Sequence, residues 1–221
     1  MKSLSFRIVA FLMALAATGT AAADNNFGVG VKAGTLGIGV EGTWRPLPYL
    51  DVRLGANQYD YSDNGIYGGV NYDAEINLDN YYVTGNFRFP LSPFRLTGGL
   101  YSNGNEFNAV SGDNGAIILI GGDPYPADAV GTLSASAAFD STSPYFGVGF
   151  DFTVFGKVGM NLDFGVLWQG SPQVSMATDG LLAGNPTFEA SLDAERAELE
   201  DELSDYKAWP VVSLGFVFNF L

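Results

Sequence analysis

The chain has 221 residues with 24 acids, ten bases, no histidine and no cysteine, and a formal net charge of −14. So acidic a chain is not built to bind nucleic acid, and without histidine or cysteine it has no histidine-based triad, no zinc centre and no disulfide framework. Hydrophobic residues make up 47% and glycines number 29, yet after Ala23 no apolar run is long enough for a transmembrane helix.

The amino end reads as an export signal. Lys2 and Arg7 are followed by the apolar run Ile8 to Ala17, too short to span a bilayer, and by Ala21-Ala22-Ala23 as a small-residue cleavage site. Residues 1–23 are thus expected to be a signal peptide, and 24–221 one mature domain.

Beyond it the pattern alternates with period two, the signature of strands. Phe27 to Lys32 sets Phe27, Val29 and Val31 on one face. After a turn near Gly34, Leu36, Ile38, Val40 and Trp44 oppose Glu41, Thr43 and Arg45. Pro46 to Tyr49 breaks that strand, since proline donates nothing to a ladder. Leu50 to Tyr59 sets Val52, Leu54 and Ala56 against Asp51, Arg53 and Asn57. Residues 60–78 read as a polar loop. Tyr81 to Phe89 and Phe94 to Tyr101 alternate around Pro90-Leu91-Ser92-Pro93, and a long loop is expected over 102–144. Tyr145 to Phe152 sets Phe146, Val148 and Phe150 against Gly147, Gly149 and Asp151. Lys157 to Gln169 sets Leu162, Phe164, Val166 and Trp168 against Asn161, Asp163 and Gly165. A last loop, 170–208, precedes Val212 to Phe220, where Val212, Leu214, Phe216, Phe218 and Phe220 share one face.

These are eight strands, with short and long connections in alternation. An apolar face on every strand and a polar, charged face opposite it predict an all-β, eight-stranded antiparallel transmembrane barrel. Closure removes the edges and lipid covers the apolar face. A soluble sandwich would turn its apolar face inward. In the middle loop, Ala116 to Ile120 and Thr132 to Ala138 are expected to pair as a hairpin above the membrane. A ten-stranded barrel using both segments is the alternative, and neither segment alternates.

The chain resembles the small eight-stranded outer-membrane proteins, the group of the OmpA transmembrane domain, OmpX and OmpW. Its ending also resembles the signal read by the barrel-assembly machinery, through Ser213, Gly215, Phe218 and Phe220; the chain adds Leu221 after the aromatic. The resemblance implies an outer-membrane location and contact with outer-membrane lipid, lipopolysaccharide and the assembly machinery. It says little about function, because the fold hosts adhesins, narrow channels, lipid enzymes and structural proteins.

The inward face collects Lys32, Arg45, Arg53, Arg88, Arg95 and Lys157 against Glu41, Asp51, Asp151 and Asp163. Eight strands leave room only for their own side chains, so these charges are expected to pair and fill the lumen. A narrow polar path gated by the pairs is the competing reading. The loops hold nineteen acids against Arg196 and Lys207, which suggests a solvated, repulsive cell surface that attracts divalent cations weakly. Asp60, Ser62 and Asn64, before Gly65, resemble the start of a calcium loop. Position twelve is Asn71 rather than the required glutamate, so no metal site is assigned.

Asn185 to Tyr206 reads as a helix, capped by Asn185 with Pro186 at its first position. It carries a narrow stripe of Phe188, Leu192, Leu199 and Leu203. No catalytic residue and no cofactor is indicated. The chain is expected to be a monomeric outer-membrane barrel with a structural or surface-interaction role; a low-conductance channel is the alternative, and a lipid-modifying enzyme ranks third.

Overall fold

The computed structural model describes residues 26–67, 70–111, 117–155 and 157–220. The proposed signal peptide, its cleavage point and Leu221 lie outside the described residues. The described elements are β1 (Phe27–Gly34), β2 (Gly37–Leu47), β3 (Leu50–Tyr67), β4 (Val70–Arg88), β5 (Phe94–Asn103), β6 (Glu106–Ser111), β7 (Ile117–Ile120), β8 (Asp123–Pro126), α1 (Ala127–Val130), β9 (Leu133–Ala138), β10 (Thr142–Phe155), β11 (Val158–Trp168), β12 (Gln173–Thr178), α2 (Pro186–Leu203) and β13 (Ala208–Asn219).

Eight strands close a barrel. The antiparallel order β5-β10-β11-β13-β1-β2-β3-β4 returns on itself through pairing of β4 with β5. The seam between the two ends of the chain is regular, with Val31 opposite Phe216 and Ala33 opposite Leu214. Closure at eight disposes of the ten-stranded alternative. Outward side chains such as Ile38, Leu54, Leu100, Phe146, Phe164 and Phe216 are exposed, forming an apolar belt of the kind that lipid covers.

The region 60–78 is not a loop. β3 and β4 pair without interruption from Leu50 opposite Phe87 to Tyr67 opposite Val70. Crossing a membrane takes about 9–11 residues, so roughly the outer half of this ladder stands clear of the barrel. There only scattered side chains such as Leu78 and Tyr72 find cover, apolar alternation is not enforced along the ladder, and the sequence reads as polar loop although the backbone stays paired.

The same cause hides strands in 102–144. β6 pairs with the outer half of β4, from Tyr72 opposite Ser111 to Asn77 opposite Glu106. β9 adds to β6 and β12 to β9, giving a platform that continues the barrel wall. Between the described residues Ile117–Ile120 and Thr132–Ala138 the expected hairpin does not form; Ala116 lies outside the described residues. Ile117–Ile120 pairs instead with Asp123–Pro126, because Gly121 and Gly122 take the positive φ angles of 61° and 81° that a tight turn demands.

Helix α2 begins where the cap requires. The Asn185 side chain accepts from the Thr187 and Phe188 amides at 3.0 and 3.4 Å. Phe188 and Leu192 are buried with Ile118, Ile120, Val130 and Leu133. This second small core, separate from the barrel lumen, holds the helix, the β7–β8 hairpin and the platform together as an outer cap.

Candidate functional site

Strand register turns the inward residues into tiers. Counting outward from the end that carries the chain termini, β3 presents Asp51, Arg53, Gly55 and Asn57; β4 presents Arg88, Asn86, Thr84, Tyr82 and Asn80; β5 presents Arg95, Thr97, Gly99, Tyr101 and Asn103. β10 presents Asp151, Gly149, Gly147 and Tyr145, with Gly149 opposite Arg95 and Tyr145 opposite Gly99, and β11 presents Asn161, Asp163, Gly165 and Leu167.

The inner tier is ionic. Arg53 lies 3.1 Å from Glu41, 3.2 Å from Asp151 and 3.5 Å from Asp51. Arg95 reaches Asp151 at 3.1 Å and also bonds Asp163. Arg88 holds Asp51 and lies 3.0 Å from Asp151. Arg95 donates further to Asn86 and Thr97 at 3.0 and 2.8 Å. Arg53 and Arg95 are almost wholly buried. Charges so placed are tolerable only when paired and hydrogen-bonded. Glycine makes the room: a Cβ at Gly149 would stand 2.5 Å from the Arg95 guanidinium carbon.

The next tier is aromatic. Tyr82 and Tyr101 stack at 4.8 Å between centroids, and Tyr101 meets Tyr145 at 5.3 Å. Leu36, Leu167 and Val211 complete the layer. Tyr82 donates to Glu41 at 2.9 Å, tying this tier to the ionic one. Lys32 lies 4.1 Å from the centroid of the Tyr82 ring, a cation–π contact.

Above the tyrosines is an amide tier. Asn80 donates to Asn105 at 2.7 Å, and Asn103 donates to the Asp140 carbonyl at 3.2 Å. Between this tier and the cap lies an apolar recess of about 480 Å³, bordered by Phe107, Phe139, Leu203, Tyr206 and Trp209.

The inward residues named from sequence thus divide. Lys32, Glu41, Asp51, Arg53, Arg88, Arg95, Asp151 and Asp163 come together. Lys157 does not: it sits exposed in the turn between β10 and β11, where its carbonyl accepts from the Asn219 amide at 2.8 Å. β11 begins only at Val158, one residue after it. Arg45 is half-buried at the inner mouth, and among the described residues no acid stands within ion-pair distance of it. Leu36, expected outward, is buried in the aromatic tier, because Gly37 at φ 92° breaks the alternation where β2 begins.

Asp60, Ser62 and Asn64 lie in the extended part of β3, opposite Asn77, Glu75 and Asp73. Alternate strand residues stand about 6.8 Å apart, so these three are strung along a ladder rather than curled round one ion, and the calcium-loop geometry fails. Asn64 instead donates to Asp73 at 3.1 Å. Several other outer acids accept backbone amides across the cap. Glu195 takes Gly121 at 2.8 Å, Glu200 takes Val174 at 3.2 Å and Asp179 takes Thr132 at 2.6 Å. Among the described residues no group of three or more acids is arranged to hold a metal. Of the residues matched to the assembly signal, Ser213 and Gly215 face inward, and Phe218 faces outward beside β1, opposite Val29.

Sequence reasoning missed the tyrosine tier. The inward positions of Tyr82, Tyr101 and Tyr145 follow from alternation, but that their rings meet follows only from register, which sets Tyr82 opposite Tyr101 and Tyr145 opposite the neighbouring Gly99.

No protein-family model matches the chain, and no curated protein matches it. Two similar solved structures are crystal structures of Acinetobacter baumannii CarO and CarO2. CarO shares 22% identity at a TM-score of 0.57, over 87% of this chain and 97% of that one. CarO2 shares 22% at 0.59, over 88% and 98%. With the barrel closed at eight strands and its apolar belt facing out, the chain has the fold of the small outer-membrane β-barrels.

Proposed function

We propose that the protein is a monomeric resident of the outer membrane, exported by its amino-terminal signal, with a closed lumen and a working surface in the outer cap. It serves as a surface or structural barrel rather than a steady pore. The observation that carries this reading is the stacking of two sealed tiers. Buried guanidinium–carboxylate pairs fill the inner half of the lumen, and Tyr82, Tyr101 and Tyr145 with Leu36, Leu167 and Val211 close it above them. A solute would have to part both. The cap then has its own core, held by Phe188 and Leu192, and it presents the acidic side chains to the outside. Weak attraction of divalent cations, bridging to anionic lipopolysaccharide, fits that charge.

The experiment is electrical. Purified protein in a planar bilayer should give no steady conductance. Large stable steps would instead support the narrow-channel reading. A folded band that shifts on heating, from an outer-membrane fraction, tests the location separately.

A further inference from the structure

The ionic tier does not balance. It holds five bases, Lys32, Arg45, Arg53, Arg88 and Arg95, against four acids, Glu41, Asp51, Asp151 and Asp163. Lys32 lies over the Tyr82 ring, and three arginines share the acids. Arg45 is left over. Its Nε is buried and has no hydrogen-bond partner.

Arg45 borders a polar cavity of about 200 Å³ at the inner mouth, much larger than one water molecule needs. Arg53, Arg88, Thr43 and Asn161 also line it. The Thr43 hydroxyl and the Arg53 Nε are likewise buried without a hydrogen-bond partner, although Arg53 Nε lies 3.5 Å from Asp51. Two donors, Arg45 Nε and the Thr43 hydroxyl, thus have no protein partner on the lining of one cavity, and a third, Arg53 Nε, has only the longer ion pair to Asp51. Asp151 is the acid on the lining, and Arg53, Arg88 and Arg95 surround it, so its charge is already more than offset.

We propose that this cavity binds a small oxyanion of phosphate size, held by Arg45 with help from Arg53 and the Thr43 hydroxyl. Guanidinium groups match phosphate and carboxylate oxygens in a two-pronged geometry. An anion here would pair with Arg45, which has no acid within ion-pair distance among the described residues, and would accept from donors that have no partner within the protein. The small, polar cavity excludes an acyl chain or a bulky sugar. That the ligand arrives from the periplasm rests on the membrane orientation proposed above; the site itself does not.

The test uses the full chain in a zwitterionic detergent, titrated with sodium phosphate against sodium chloride at matched ionic strength. The wild type should show a saturable heat of binding and a phosphate-specific rise in its urea midpoint. Arg45→Gln should weaken binding by about tenfold or more, the worth of a charge-assisted contact, while Lys207→Gln in the outer loop should bind as wild type. Arg45→Gln leaves no acid without its partner, and the heat-dependent gel shift checks its fold. Should it not fold, Thr43→Val removes one donor and should weaken binding measurably. No phosphate-specific response in the wild type, or equal binding by the wild type and both lining variants, would overturn the proposal. Conductance is read in a separate assay, so a failed anion site and a failed closed-lumen reading are told apart.

Discussion

Glu41 and Arg53 meet at 3.1 Å across adjacent strands, two residues out of direct register: Glu41 lies opposite Gly55, and Arg53 opposite Thr43. The diagonal works because Gly55 has no side chain. Tyr82 occupies the space above Gly55 and donates to the same carboxylate from the next strand. Asn161 of β11 donates to it as well, at 3.3 Å, so one acid joins four strands and two tiers.

Breaking that tier should be costly. Arg53→Ala or Asp163→Ala leaves a buried charge uncompensated, a loss of about 3–5 kcal/mol. Asp201→Ala on the exposed helix should cost less than about 1 kcal/mol. Urea midpoints in detergent measure all three. Equal midpoints would mean that the lumen charges are solvated and the closed-lumen reading is wrong.

Tyr82→Phe keeps the ring stack and removes only the hydroxyl that serves Glu41. The stranded carboxylate oxygen should cost about 1–3 kcal/mol. Tyr81→Phe, on the outer face next door, should change stability by less than about 0.5 kcal/mol. A loss equal to that of Tyr82→Phe would show that the hydrogen bond is not the cause.

Gly149→Ala drives a methyl group against the buried Arg95 guanidinium, with 2.5 Å to its carbon and 2.7 Å to Nη2. Such overpacking should cost about 1–3 kcal/mol. Gly85→Ala is the control, since its nearest neighbour would be the Gly98 carbonyl oxygen at 4.0 Å. Comparable midpoints for the two variants would refute a space-making role for Gly149.

Leu91 has φ 59° in the turn after β4 and is fully exposed. With Pro90 before it and the Ser92 amide donating to the Phe89 carbonyl at 3.3 Å, it occupies the third position of a turn that favours glycine. Leu91→Gly relieves about 1–2 kcal/mol of left-handed strain, partly offset by the freer unfolded chain. The urea midpoint should rise modestly; a fall would show that Leu91 contributes through its side chain.

Phe188→Ala should loosen the cap and spare the barrel. The Phe188 ring packs edge-on against Tyr125 at 5.0 Å inside the small outer core. Limited proteolysis should open the region around α2, while the heat-dependent gel shift of the barrel persists. Loss of both together would mean that cap and barrel fold as one cooperative unit.

Alternation by itself determined most of the barrel. Wherever lipid lies on one side of a strand and the packed lumen on the other, each position admits one class of side chain, and period two is enforced along the whole crossing. That is why the eight barrel strands, the prolines that end them and the inward identity of Arg53, Arg88, Arg95, Asp151 and Asp163 were legible. Helix α2 was legible through Asn185 and Pro186, whose capping chemistry is local. Three things were decided only by the tertiary structure. Which acid meets which base depends on register, which alternation does not encode. The gathering of three tyrosines from β4, β5 and β10 into one tier depends on closure of the barrel. The outer strands, from Asp60 to Leu78 and in β6, β9 and β12, bury scattered residues such as Leu78, Leu133 and Val174 rather than one continuous face, so no regular alternation is written into them; they are strands because β3 and β4 continue beyond the closed barrel and offer an edge to pair with.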